Sequence, residues 1–216
     1  MREVVLYGGT GLARMLRESI EEKGDHLLAI IDDTPNIDTK IKNVPVFQGW
    51  ENFVKSSLYV NHNSYFFMLA IGNPGCGKKP FLFEKLLSAG LKPYTIIHHT
   101  AFVADDAVIG PGTQVDIGAI VMAQAVIGKS CIIGPNSNIA HDAIIGDFVD
   151  TTVGVIVCGH TIIRNNVLIG AGAKILPRLI IGNNVTIGTG AVVTKNIPDG
   201  MTVIGIPARE YIKNDR

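Results

Sequence analysis

Two hydrophobic rhythms divide the chain. Over residues 1–95, short apolar runs alternate with amphipathic stretches. REVVLY has the continuous apolar character of a buried strand. A glycine turn follows it, and then LARMLRESIEEKG, where Leu12, Met15, Leu16 and Ile20 recur at helical spacing up to Gly24. HLLAIID predicts a second strand, closed by Asp32, Asp33 and Pro35. VPVF, a short helix near Trp50 to Val54, a strand in SYFFMLAIG, a helix in PFLFEKLLSAG with Pro80 in its first turn, and a strand in PYTII complete the series. Strands that alternate with helices predict βαβ units, a parallel sheet and an α/β Rossmann-like domain over residues 1–95.

From residue 97 the period becomes six. Ile97, Val103, Ile109, Val115, Val121, Ile127, Ile133, Ile139, Ile145, Val157, Ile163, Ile169, Ile175, Ile181, Ile187 and Val193 fall in one register, and Thr151 alone departs from Ile or Val. Four residues after each inward position the side chain is often small, as at Ala107, Thr113, Ala119, Ala125, Cys131, Ser137 and Ala143. One residue after it, glycine recurs, as at Gly110, Gly128, Gly134, Gly146, Gly170, Gly182 and Gly188, where it is expected to permit the bend. A six-residue period matches neither 3.6 nor 3.5 and predicts a parallel β-helix over residues 96–216, with a C-terminal tail. Three hexapeptides make one triangular coil, so residues 18 apart stack about 4.8 Å from one another. That rule puts His141 on Gly159 and Asp142 on His160. The flat faces of such a prism favour self-association, with a homotrimer as the expected form.

Composition narrows the function. The 19 Lys and Arg residues balance 19 Asp and Glu, which leaves no basic face for nucleic acid or an acidic membrane surface. The three cysteines, Cys76, Cys131 and Cys158, form no CxxC pair, so neither a zinc site nor a redox couple is expected and reduced thiols fit better. The opening apolar run is too short for a signal peptide and no stretch of about 18 apolar residues occurs. A cytoplasmic protein without membrane insertion is expected.

Two glycine-rich loops invite a phosphate. Tyr7-Gly8-Gly9-Thr10-Gly11-Leu12-Ala13-Arg14 leaves a strand and opens a helix, the context in which backbone amides receive an anion. Asp32 and Asp33 end the next strand, where a ribose hydroxyl or base edge is held. Arg14 replaces the last small residue of the dinucleotide fingerprint, and the domain is small for a dinucleotide. The diphosphate of a sugar nucleotide is the favoured ligand; a plain glycine turn and a hydride-transfer domain are the alternatives. Gly72-Asn73-Pro74-Gly75-Cys76-Gly77-Lys78-Lys79 nearly spells a triphosphate-binding loop, but Lys79 stands where a magnesium-binding Ser or Thr is needed. The loop is expected to close the nucleotide pocket, with Lys78 offsetting phosphate charge.

Of the six histidines, His26 and His62 are expected at the surface and His98 and His99 in a corner hydrogen bond. His141 stands apart because a carboxylate follows it and a glycine stacks beside it. Imidazole suits proton abstraction near pH 7. A nearby carboxylate fixes its tautomer and supports the imidazolium. The Gly159 N–H, with no side chain above it, can support a developing oxyanion. A solvated corner imidazole is the plain alternative. A zinc lyase needs about three convergent imidazoles, and only His141 and His160 lie on adjacent coils.

The combination of NIAHDAIIGDF, VCG at 157–159, KILP at 174–177, VIGIPAR at 203–209, YGGTGLAR and AIGN resembles the bacterial sugar-nucleotide N-acetyltransferases and sialic acid O-acetyltransferases of the left-handed β-helix type. The resemblance implies acetyl-CoA as co-substrate, no metal, a nucleotide-sugar substrate, and a homotrimer that binds acetyl-CoA between subunits. It implies His141 as general base, Asp142 as its orienting acid, and Gly159 as donor to the acetyl carbonyl. Ala171 and Thr189 match positions along the CoA arm, and Pro207 and Arg209 the segment near its nucleotide end. Nucleotide-sugar recognition falls on Gly8, Gly9, Thr10, Gly11, Asp32 and Asp33, with Gly72, Asn73 and Lys78 nearby. The chain departs from many relatives at Ala140, where they carry an acid, and at Asp150, where they carry a second histidine. The expected reaction is acetylation of a nucleotide-linked amino-deoxy sugar. O-acetylation of a sialic-acid-like sugar and a non-catalytic nucleotide-sugar-binding homologue are the alternatives.

Overall fold

A computed structural model describes residues 1–72 and 77–211. It divides into two compact units, the first built from Met1–Gly72 with Lys78–Ile96 and the second from Ile97 onward.

The first unit is a parallel α/β sheet. Its strands are β1 (Glu3–Tyr7), β2 (His26–Asp32), β3 (Val46–Gln48), β4 (Phe66–Leu69) and β5 (Lys92–Pro93), in the order β3-β2-β1-β4-β5. Helices α1 (Gly11–Glu22), α2 (Trp50–Val54) and α3 (Lys78–Ser88) connect them. A core of Val4, Leu6, Leu16, Ile20, Leu27, Ile30, Met68 and Tyr94 holds α1 to the sheet. Two expectations are corrected. Met15 is 41 % exposed, because Ala13, Leu16 and Ile20 form the buried stripe of α1 and Met15 lies off it. PYTII is not one strand: pairing stops after Pro93 and resumes at Ile96–Ile97. The chain runs outward from β1 through β2 to the edge strand β3 and then returns to β4 on the other side of β1, so the carboxyl ends of β1 and β4 open a crevice, the place where such sheets receive ligands.

The second unit is a parallel β-helix. Two-residue strands stack at steps of 18 residues, as in Asn138 on Ile156 and Ile144 on Ile162, and make three flat sheets. The inward Ile and Val set from Val115 to Val193 lies within 1 % of complete burial, with Ala119, Ala125, Cys131 and Ala143 beside it.

The corners correct the account of glycine. The glycines one residue after the inward position do not make the bends. A Cβ on Gly170 would meet Thr189 N at 2.5 Å, and one on Gly134 would meet Thr151 O at 2.6 Å, so these residues are small because the next coil's backbone lies against them. The bends are made two residues later, by a second stripe of period six: Gly112, Gly118, Gln124, Ser130, Asn136, Asp142, Phe148, Gly154, His160, Asn166, Gly172, Arg178, Asn184 and Gly190 all have φ between 51° and 75°. Gly, Asn and Asp, which tolerate left-handed backbone, dominate that stripe. Each corner residue ties the coils together, as when His160 N–H donates to His141 O and Arg178 N–H to Gly159 O.

Candidate active site

One corner of the β-helix carries the rungs Gln124, Asp142, His160 and Arg178, all left-handed. At φ 57°, Asp142 turns its carboxylate back along the chain, so that His141 Nδ1 lies 2.7 Å from Asp142 Oδ2. In the neutral tautomer with the proton on Nδ1, Nε2 is left as an unprotonated base. That edge of the ring faces Gly159: a Cβ there would sit 2.8 Å from His141 Cε1 and 2.9 Å from Nε2. Gly159 O is taken by Arg178 N–H, and Gly159 N–H has no acceptor among the described residues. A free imidazole nitrogen and an uncommitted amide donor thus share one exposed corner.

His160 completes the cluster. Its Nε2 stands 3.8 Å from Asp142 Oδ2, and its ring crosses that of His141 at 5.3 Å and 88°. The 18-residue stacking rule placed His160 on Asp142, but only the left-handed corner turns both imidazoles toward one carboxylate. The stripe of Gly, Asn and Asp at corner positions was the available signal for that geometry.

Ala171 and Thr189 lie 18 residues apart, immediately before the corner residues Gly172 and Gly190. Gly190 N–H donates to Ala171 O. This is a different corner of the prism from that of His141 and Gly159, across the sheet that contains Asn138–Ile139 and Ile156–Val157. Pro207 and Arg209 lie past the last full coil. Arg209–Glu210 pairs antiparallel with Thr202–Ile204, and Arg209, Lys195, Asn196 and Glu210 border a cleft of about 230 Å³. Ala140 donates its N–H to Val157 O within the stack, and Asp150 is 2 % exposed on a strand paired with Ile132 and Leu168, on another sheet from His141.

The crevice of the first unit, about 320 Å³, is lined by Tyr7, Gly8, Thr10, Asp32, Asp33, Gly72 and Lys78, among others. Gly9 and Gly11 do not line it, and Asn73 lies outside the described residues. Gly8, at φ 109°, brings the turn so close to β4 that a Cβ would meet Ala70 O at 2.5 Å. Asp32 is largely committed: Gly9 N–H donates to Oδ2 at 2.7 Å and Thr34 N–H to Oδ1 at 2.8 Å. Asp33 accepts the Tyr7 hydroxyl at 2.8 Å, and burial together with Asp33 holds that phenol protonated far above its ordinary range. Thr10 caps α1 without a side-chain hydrogen bond, which leaves amides of the first turn facing the crevice mouth.

His26 is exposed and bonded to Glu3, while His62 is only partly exposed and stacks on Tyr59. His98 meets the Thr100 hydroxyl at 2.8 Å. Cys131 is buried and donates to Gly146 O. Among the described residues, no helix is long and apolar enough to cross a membrane.

Two family descriptions match the chain: the PglD N-terminal domain over residues 3–79, and the bacterial transferase hexapeptide repeat over residues 106–141 and 160–195. The chain thus joins a PglD-type N-terminal domain to a run of hexapeptide repeats. Among solved structures, the acetyltransferase domain of PglB from Neisseria gonorrhoeae is 28 % identical over 98 % of this chain and 100 % of its own, with TM-score 0.86. That domain has also been solved in complex with acetyl coenzyme A. A mutant of perosamine N-acetyltransferase from Caulobacter crescentus, in complex with CoA and GDP-perosamine, is 26 % identical over 99 % and 98 % of the two chains, with TM-score 0.88. WeeI from Acinetobacter baumannii is 28 % identical over 98 % and 100 %, with TM-score 0.85. No curated protein sequence matches. The chain carries a PglD N-terminal domain and bacterial transferase hexapeptide repeats, and its fold is that of these left-handed β-helix acetyltransferases.

Proposed function

We propose that the protein transfers the acetyl group of acetyl-CoA to the amine of a nucleotide-linked amino-deoxy sugar, with His141 as general base. The observation that carries this reading is the corner pair: Asp142 occupies Nδ1 at 2.7 Å, so Nε2 is the nitrogen free to take a proton, beside the uncommitted Gly159 N–H. The sugar amine attacks the thioester carbonyl carbon. Its proton passes to His141 Nε2, the carbonyl oxygen gains charge and is supported by Gly159 N–H, and the carbon–sulfur bond breaks. The imidazolium returns its proton to the departing thiolate. The products are the N-acetyl sugar and CoA thiol, and the base is regenerated.

Residues 1–95 are proposed as the nucleotide-sugar domain and 96–216 as the acyltransferase domain. In the crevice, the first amides of α1 with Lys78 receive the diphosphate, and Asp33 with Tyr7 faces the nucleoside. Asp32 acts by holding the glycine turn in shape, since both its oxygens accept backbone N–H groups. Ala171 and Thr189 line the CoA arm, and Pro207 and Arg209 lie toward its nucleotide end. His141 and Ala171 belong to different corners of one prism, which supports an active site shared between subunits of a homotrimer. The test is CoA thiol release from acetyl-CoA with a panel of nucleotide amino-sugars. Wild type is expected to turn over at least one acceptor, and His141→Ala to lose about 10²–10⁴ in rate with an unchanged melting temperature. Equal turnover by the variant overturns the assignment of the base.

A further inference from the structure

Asp142 faces two imidazoles, and the proposed mechanism uses only one. His160 sits one coil beyond Asp142, 3.8 Å from the same Oδ2 that His141 occupies at 2.7 Å. At that separation it makes no hydrogen bond, but a charged imidazolium would form an ion pair there. The two rings are 5.3 Å apart and all three side chains are exposed. We infer that His160 is a positioning residue for this reaction: its charge sets how much of the Asp142 carboxylate is left to stabilise the His141 imidazolium. The inference rests on His141 being the base.

The charged groups on the elements flanking the pair are Asp106 and Arg178 on the same corner and Lys174 on the strand that leads into it. Asp106 is held ionised by the Gln124 side-chain amide and backbone N–H. Histidine is the side chain that ordinarily changes charge between pH 5 and 8, and this corner sets two imidazoles around one carboxylate. Two sites that share one counter-ion at such distances take up protons in coupled steps. A proton on His160 pairs with Asp142 and repels a second proton on His141. The two imidazoles therefore compete for one carboxylate.

Charge and backbone are separable at this position. Gln124 holds the same corner place two rungs earlier, at φ 58° against 57° for His160, so His160→Gln preserves the bend. It removes the competing cation, so His141 keeps its proton more tightly. The acid limb of the kcat/KM profile is expected to move to higher pH by on the order of half a unit, with the plateau rate retained. His160→Lys installs a permanent cation, and its acid limb is expected at or below the wild-type position. Titration of the His141 ring by NMR, in protein labelled at histidine Cε1 and without substrate, is expected to shift in the same two directions. Coincident wild-type and His160→Gln curves, or equal shifts in both variants, overturn the inference. If wild type turns over no acceptor, the proposed function fails while the ring titration still decides the coupling.

Discussion

At the residue scale, the corner chemistry depends on the sign of one backbone angle. A residue in an extended strand would point its carboxylate to the face opposite its neighbour's ring; at φ 57° Asp142 turns it back onto His141 Nδ1. Gly159 is tested most sharply by one methyl group. Its backbone is not left-handed, so alanine fits the chain, but the added Cβ would lie 2.8–2.9 Å from His141 Cε1 and Nε2. Gly159→Ala is expected to push the ring aside and lower kcat at least about tenfold, with little change in melting temperature, as steady-state assay and calorimetry would show. Unchanged kcat would mean that the ring edge at Gly159 is not the reacting edge. Asp142, Gly159 and His141 were legible as candidates from an 18-residue stacking rule. The direction of the carboxylate and the approach of His160 were not, because residue pattern encodes burial and leaves the orientation of exposed polar groups open.

At the element scale, each hexapeptide is a strand, a close approach and a left-handed corner, and each has its own sensitivity. Gly170→Ala drives a Cβ to 2.5 Å from Thr189 N, against backbone that cannot rotate away. It is expected to cost about 1–3 kcal/mol in denaturant unfolding. Gly172→Ala meets nothing within 4 Å and bears only the left-handed backbone cost at φ 68°, about 1 kcal/mol. Removing the inward Ile145 side chain to alanine is the larger loss, about 2–5 kcal/mol, because the prism interior has no alternative packing. One coil also carries a pH dependence. Burial pushes the Asp116 carboxyl up to about 6, against a partial opposing effect of the Gln114 amide that donates to it. The folded state therefore favours the protonated acid. That stabilisation is complete below pH about 4 and is lost as pH rises through about 6. Asp116→Asn is expected to gain on wild type by on the order of 2 kcal/mol between pH 4 and 7 in paired unfolding curves. Parallel curves would show that the carboxyl is hydrated when ionised.

At the scale of the whole molecule, two features argue for assembly. Val108, Val126, Ile144, Ile162 and Ile180 make an outward aliphatic row along one sheet, each 38–56 % exposed. The His141–Gly159 corner and the Ala171–Thr189 corner flank a different sheet. A shared site predicts complementation. Mixed trimers of His141→Ala and Ala171→Trp subunits are expected to recover part of the activity that each homotrimer lacks, measured by thiol release after co-expression. No recovery, or a monomer by light scattering, would place the whole reaction within one chain.

The six-residue period determined the prism and its inward set by itself, because each hexapeptide turns one aliphatic position and the smaller one four residues later into the core. Alternating strand and helix grammar did the same for the α/β sheet. It was not enough to place the strand end within PYTII or the exposed side of Met15, where pairing and packing angle decide. Only the tertiary structure decided that Asp32 is committed to the glycine turn, that the corner bends fall on the Gly, Asn and Asp stripe, that Asp142 lies between two imidazoles and bonds one of them, and that His141 and Ala171 sit at separate corners. Those outcomes depend on hydrogen-bond partners, backbone handedness and the height of one coil above the next, quantities that exist only once the chain has closed on itself.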